Sequence, residues 1–331
     1  MDKKLKWGVM GAAHIATEQV IPAITNCLYG EVYAIASRNL EKAKTISRLY
    51  KIEKSYGSYE KLLSDREVEA IYIPLPNHLH VEWAIKALEA NKHVLVEKPV
   101  GLSSEEAKKL LKASHKYPHL KVMEAFMYRH HPQWIKAKEL VDQKVIGDIK
   151  TIQSSFSFYE DDPNSIVNSK EFGGGSLMDI GCYPISLSRF LFNSEPISIS
   201  SVIDYHPEFK VDVLASGILE FDTGTSVFFS SIQLADNQQV QIFGTKGNIK
   251  FELPFNPPID RPSKIWVSIG DACQTIEFET CNQYTIQADL FALAIKNNTP
   301  VPTPLEDAVK NMIVLEKLKE SNLKGQRIPM Y

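Results

Sequence analysis

Val94-Leu95-Val96-Glu97-Lys98-Pro99-Val100 decides how this chain is read. Three β-favouring apolar residues run straight into an acid, a lysine and a proline. A short Val/Leu run of this kind reads as a strand buried on both faces, as in a parallel sheet. Pro99 has no N–H for a strand ladder, so the strand stops there and leaves Glu97 and Lys98 at its carboxyl end. Ligands of open α/β sheets bind at that end. Lys98 is therefore placed for proton chemistry, although alone the same pair reads equally as a surface ion pair.

The flanking segments supply the context. Leu5 to Met10 reads as a first strand and Gly11-Ala12-Ala13-His14-Ile15-Ala16 as the turn after it. Gly11, Ala13 and Ala16 take the three positions of the dinucleotide fingerprint, whose backbone amides hold pyrophosphate at a helix start. Ala13 departs from the glycine usual there, and alone the turn is also compatible with a plain strand-to-helix connection. Ile15 to Leu28 is helix-compatible, with Pro22 interrupting it.

The second strand, Glu31 to Ala36, ends at Ser37-Arg38-Asn39, where an acid for the ribose 2′-hydroxyl is usual. A hydroxyl and a guanidinium suit a 2′-phosphate instead, so NADP(H) is expected in preference to NAD(H), with NAD(H) possible. The alternative is that Arg38 stacks on adenine and both cofactors bind.

Leu40 to Tyr50 and Ser58 to Leu63 read as helices, and Ala70 to Ile73 as a strand broken by Pro74-Leu75-Pro76-Asn77-His78-Leu79-His80. Two prolines force an extended turn with carbonyls left for a ligand. Asn77 is expected to cap the helix that buries Val81, Ala84, Ile85 and Leu88. His78 and His80 have no metal-ligand company and read as helix-start histidines near a cleft, so no metal is expected. Ser103-Ser104-Glu105-Glu106 is a capping box, and Val122 to Phe126 one more strand. The alternation predicts a doubly wound parallel sheet over residues 1–124.

Residues 125–331 change character. Ile152, Phe156 and Phe158 alternate with Gln153, Ser155, Ser157 and Tyr159, a period-two strand with one wet face. Further strands are expected near Ile197, Ser216, Thr225, Gln239, Asn248, Ile265 and Thr275. Asp222-Thr223-Gly224 and Thr245-Lys246-Gly247 are hairpin turns between some of them. The expected fold class is thus α/β, the parallel sheet being followed by an α/β domain with a large, mostly antiparallel open sheet. One face of that sheet carries helices. The other has enough apolar positions to predict a homodimer or homotetramer. Gly173-Gly174-Gly175 permits close backbone approach, or is a flexible loop. The helix after it puts Asp179 and Tyr183 at i and i+4 on one face, with distortion expected from Pro184. Tyr284 to Ile295 and Leu305 to Leu318 read as packing helices.

Composition is that of an ordinary globular protein, 44% hydrophobic and 23% charged. A formal charge of -3 gives no reason to expect nucleic acid or an anionic membrane as partner. No apolar run approaches the ~20 residues of a membrane span. The N-terminus leads into a strand without a signal-peptide core, and Cys27, Cys182, Cys273 and Cys281 are scattered. A cytoplasmic location is expected.

Taken together, the Gly8 to Ala16 turn, Pro74 to His80, Glu97-Lys98-Pro99, Glu124 to Pro132 and Gly173 to Pro184 resemble the Gfo/Idh/MocA oxidoreductase family over essentially the whole chain. The resemblance implies a Rossmann domain, a second domain that supports oligomers, and hydride transfer between NAD(P) and a carbohydrate-like alcohol or ketone. Expected cofactor contacts are Gly11, Ala12, Ala13, His14, Ile15, Ser37, Arg38, Pro74, Leu75, Asn77, His80, Glu97 and Lys98. Met127, Arg129 and Phe158 are candidates for the substrate side, with an interdomain ion pair as the alternative for Arg129.

The catalytic set implied is Lys98, Tyr183 and Asp179. A tyrosine needs a nearby cation to act as a base at neutral pH, and Lys98 would be that cation. Glu97 would orient Lys98, and Asp179 would hold a substrate hydroxyl or the tyrosine. Many relatives carry histidine at the Tyr183 position. Tyrosine resembles the branch with dihydrodiol dehydrogenase, xylose dehydrogenase, glucose-fructose oxidoreductase and certain nucleotide-sugar ketoreductases. A nucleotide-sugar 3-ketoreductase is the runner-up. An NAD(P)-sensing regulator is the rival from another class, and such proteins commonly lose the lysine.

Overall fold

The computed structural model describes residues 3–330. They form two compact units, one made of the chain up to Met127 together with Asn282–Val309, the other of Tyr128–Cys281 and the chain from Lys310 on.

The first unit is built on β1 (Leu5–Met10), β2 (Gly30–Ala36), β3 (Lys54–Tyr56), β4 (Ala70–Ile73), β5 (His93–Val96) and β6 (Val122–Glu124). They lie in the order β3-β2-β1-β4-β5-β6, with every neighbouring pair parallel. This is the strand order of a dinucleotide-binding doubly wound sheet. Val94, Leu95 and Val96 are fully buried, because central parallel strands have helices on both faces.

The intervening helices are α1 (Ile21–Thr25), α2 (Leu40–Tyr50), α3 (Tyr59–Ser64), α4 (His80–Glu89) and α5 (Ser104–Ser114). Local chemistry sets their starts. Asn39, Ser58 and Ser103 accept first-turn N–H groups of α2, α3 and α5. In the Ser103 box, Glu106 reaches back to the Leu102 amide at 2.8 Å. Asn77 does not cap α4: it opens a 3₁₀ turn, Asn77–Leu79, and α4 starts at His80 without a side-chain cap. The prolines on either side of Leu75 hold the chain extended until that turn. Pro22 sits in the first turn of α1, where a missing N–H costs nothing, and a π-turn, Ala16–Val20, precedes it. The helix ends at Thr25, three residues short of the expected Leu28.

The second unit is a nine-stranded sheet of β7 (Ile149–Tyr159), β8 (Ser198–Tyr205), β9 (Asp212–Phe221), β10 (Gly224–Ser231), β11 (Gln233–Gly244), β12 (Gly247–Phe251), β13 (Ser263–Ile269), β14 (Ala272–Phe278) and β15 (Ile328–Pro329). Its order is β14-β13-β12-β11-β7-β10-β9-β8-β15, antiparallel except for the pair β7/β10. Asp222–Thr223 and Thr245–Lys246 are the two-residue hairpin turns expected. The wet face expected for β7 is there only in part: Gln153 and Tyr159 are exposed, but Ser155 and Ser157 between them are buried. β7 is a central strand, and its antiparallel neighbour β11 breaks register between Gln233 and Asn237, where Ser157 Oγ donates to Ala235 O and Asn237 Nδ2 to Ser155 Oγ. Helices α6 (Pro132–Asp142) and α7 (Cys182–Phe192) also belong to this unit, with α7 packed on β7 and β10. Val202, Ile218 and Val227 are exposed strand residues.

The last two helices are α8 (Gln283–Lys296) and α9 (Leu305–Lys324). A single cut between residues 124 and 125 does not follow the compact units, because α8 returns to the first. Phe291 meets Trp7 with ring centroids 5.5 Å apart, and Asp289 accepts from the amides of Leu28 and Tyr29. No helix among the described residues is long and apolar enough to cross a membrane.

Candidate active site

In the first unit the turn after β1 and the end of β2 both lie at the carboxyl ends of parallel strands. Gly11 has φ +117°, and a Cβ there would lie 3.0 Å from Leu75 Cδ2, so the turn excludes a side chain. Ala12, Ala13 and Ile15 are half-buried and His14 is exposed at the start of the helix. Ser37 is buried, with its hydroxyl accepting from Asn39 N at 3.2 Å. Arg38 is exposed and within hydrogen-bond reach of the Tyr59 hydroxyl, whose pKa burial pushes up. A cavity of about 380 Å³ is lined by Arg38, Ser58, Tyr59, Trp83 and the acids Glu60 and Glu82, among others. Tyr59 is a residue that sequence reasoning missed. Its only signal was its place directly after the Ser58 cap.

The end of β5 is tied down from several sides. Glu97 N donates to Ile73 O at 3.1 Å, and Tyr72 Oη donates to Glu97 Oε1 at 2.7 Å. The other Glu97 oxygen accepts from Lys98 N at 3.3 Å. The Lys98–Pro99 peptide is cis, and Val100 N donates to Glu124 Oε1. His80 is fully buried, with Nδ1 2.8 Å from Pro99 O and Nε2 2.6 Å from Leu75 O. A neutral imidazole donates one N–H, so only one of these contacts is a hydrogen bond at a time. Burial outweighs both carbonyls and holds the ring neutral, its pKa pushed down to about 4. His80 thus joins the turns after β4 and β5. Pro74 is buried and Asn77 half-buried on the first of those turns. Tyr284, on α8, is nearly buried and feels the charges of Glu97 and Lys98.

In the second unit the glycine run leads into a π-turn, Leu177–Gly181, and then α7. Pro184 falls in the first turn of α7, so the distortion expected near Tyr183 lies one turn earlier, where the chain rewinds. Asp212 governs this turn: Oδ2 accepts from Leu177 N at 2.6 Å. A Cβ on Gly175, at φ +106°, would lie 2.3 Å from Asp212 Oδ1. Nothing in the local sequence marked Asp212. Asp179 is half-buried in the π-turn. Tyr183 is 5% exposed, its ring 5.3–5.6 Å from those of Phe255, Phe156 and Tyr128. Arg129 donates to the hydroxyl and carbonyl of Ser186, which ties it to α7 three residues beyond Tyr183. Met127 is buried in the first unit and Phe158 is half-buried on β7.

A glycine at positive φ between the first strand and its helix, with Arg38 lining a cavity at the end of the next strand, fits a dinucleotide. The family models agree. Residues 5–126 match the oxidoreductase family with an NAD-binding Rossmann fold, and residues 134–250 match the GFO/IDH/MocA C-terminal domain. The chain belongs to the Gfo/Idh/MocA family of NAD(P)-dependent oxidoreductases, and its named relatives include dehydrogenases and reductases of sugars and of a dihydrodiol. It is 41% identical to an uncharacterized oxidoreductase of Rhizobium meliloti, over 97% of this chain and 98% of that one. It is 32% identical to D-xylose 1-dehydrogenase (NADP⁺) 2 of Haloferax volcanii, over 98% and 100%. The fold also matches a 3-ketoreductase from Actinomadura kijaniata, crystallised with NADP and TDP-benzene, with a TM-score of 0.89, 28% identity and coverage of 96% and 98%.

Proposed function

We propose that this protein is an NADP(H)-preferring dehydrogenase or reductase of a sugar or a related cyclic polyol or diol, in which Lys98 and Tyr183 move the proton. The observation that carries the reading is the anchored turn after β5, which keeps Lys98 at the carboxyl end of a central parallel strand. A bound nicotinamide supplies or accepts the hydride. The protein's part is to bind, orient and move a proton at the substrate oxygen. Tyr183 Oη exchanges that proton, and the Lys98 ammonium favours its phenolate, since an unassisted tyrosine titrates near ~10. The aromatic rings around Tyr183 fix its orientation and exclude water. Asp179 holds a substrate hydroxyl or the tyrosine itself.

The NADP(H) preference rests on Arg38 and the absence of a carboxylate at positions 37 and 38. Val202, Ile218 and Val227 on the open sheet face support a homodimer or homotetramer. Four scattered cysteines that form no disulfide fit a reducing cytoplasm. A nucleotide-sugar 3-ketoreductase is the second reading, favoured by the likeness to the 3-ketoreductase that binds TDP-benzene. Retention of Lys98 and Tyr183 weighs against a sensor without turnover.

Nicotinamide absorbance tests these readings, with NADP⁺ and NAD⁺ over aldoses, dihydrodiols and inositols, and with NADPH over keto-sugars and nucleotide-linked keto-sugars. Lys98→Met and Tyr183→Phe should each lower kcat by about 10²-fold with cofactor affinity little changed. Near-normal turnover in both variants refutes the proton assignment.

A further inference from the structure

We propose that Tyr72 is a positioning residue for the proton transfer, its buried hydroxyl fixing the Glu97 carboxylate and, through it, the charge beside Lys98. This rests on Lys98 being the cation of the reaction. Tyr72 is fully buried on β4, and its Oη lies 2.7 Å from Glu97 Oε1. Tyr72 pairs in register with Leu95, and Ile73 with Val96, in the parallel β4/β5 ladder. Side chains two apart on a strand share a face, so Leu95 and Glu97 project on the same side as Tyr72. The phenol leans along the strand to the first residue beyond its end.

A hydroxyl donated to a carboxylate favours the ionised form and fixes its rotamer. Glu97 Oε1 is occupied in this way, which turns Oε2 toward the Lys98 amide at 3.3 Å. An ionised, immobile Glu97 favours the charged state of the lysine next to it. Without the hydroxyl, Glu97 takes up a proton at higher pH and its carboxylate is no longer held in one place beside Lys98. Tyr72 needs no contact with substrate or cofactor to act this way.

The test is a double-mutant cycle of Tyr72→Phe and Glu97→Gln in the full-length enzyme. Tyr72→Phe should lower kcat about tenfold, leave the NADPH dissociation constant within about twofold, and move the acid limb of the kcat–pH profile to higher pH. Glu97→Gln should remove that dependence, and the double variant should be no slower than Glu97→Gln alone. Thermal melts of the cofactor-free variants should show the same non-additivity, a reading that does not use turnover. An unshifted acid limb in Tyr72→Phe, or additive losses in the cycle, overturns the proposal. If Tyr72→Phe does not fold, Glu97→Gln decides: wild-type kcat and pH profile in that variant overturn it. Lys98→Met separates the two levels. If that variant turns over normally, the proton assignment falls and this proposal with it. If it is inactive while Tyr72→Phe is unaffected, only the positioning role falls.

Discussion

Replacing Asp212 separates two opposed effects beneath the turn that presents Asp179. Its carboxylate is 3% exposed and accepts the Leu177 amide at 2.6 Å. Asp212→Ala leaves that buried N–H without its acceptor. Hydrogen bonds to charged groups are worth ~1.5–3 kcal/mol, so the second unit should lose about 2 kcal/mol. Asp212→Asn keeps an oxygen acceptor and drops the charge. Burial pushes the Asp212 carboxyl above the usual carboxylate range, and the Leu177 amide pulls it back only in part. Its unfolded value is near ~3.9, so the native state binds the extra proton between that and the folded value. The stability Asp212 contributes is therefore full below about pH 3.9 and is lost as pH rises through the folded value. Asp212→Asn has no such loss. In urea melts followed by tryptophan fluorescence, wild type should lose stability relative to Asp212→Asn as pH rises above about 4. Asp212→Ala should lie below both throughout. If wild type instead gains on Asp212→Asn over that range, the carboxylate is net stabilising and the reasoning is refuted.

Three further outcomes follow from the first unit and the buried histidines. Arg38→Ala should raise the NADP⁺ dissociation constant by about 10- to 100-fold in titration calorimetry and leave NAD⁺ within about twofold; equal losses for both would remove the 2′-phosphate role. Gly11→Ala forces an alanine to φ +117° beside Leu75 and should cost about 1–2 kcal/mol, read as a lower melting temperature with weaker NADPH binding. Burial holds His80, His93, His130 and His131 near pKa 4. Unfolded histidine titrates near ~6.5, so between the two values the unfolded chain binds more protons and stability falls as pH drops. A melting temperature that stays flat from about pH 7 to about pH 5 would contradict that burial.

Where hydrophobic pattern and turn chemistry agree, the fold is legible before any coordinates. The Val/Leu run of β5 stops where Glu97 begins, and the Asp222–Thr223 and Thr245–Lys246 turns join their strands as expected. β3 is three half-buried residues, Lys54–Tyr56, on a sheet edge, too short and too polar to show a period. β15 is two residues long. The serines of β7 misled because a period-two rule cannot foresee the irregular stretch of a neighbouring strand that covers part of an otherwise solvated face. Candidate site residues carried by sequence-adjacent elements, such as Gly11, Ser37 and Lys98, stand out locally. Asp212 and Tyr59 do not, since each matters through a partner that only the folded chain supplies, Leu177 for one and Arg38 for the other.

The return of α8 bears on how the protein is made. A ribosome releases all six strands of the first sheet before the helix that covers Trp7 exists. Roughly 150 residues separate Met127 from Asn282, and at ~5–20 residues per second their synthesis takes on the order of 10–30 s. For that time the nascent nucleotide-binding half stands with one flank open. Eight of the nine strands of the second sheet, β7 to β14, are made in the same interval. A truncation after Met127 would leave that flank open permanently, so an isolated nucleotide-binding half must carry Asn282–Val309 spliced back onto it.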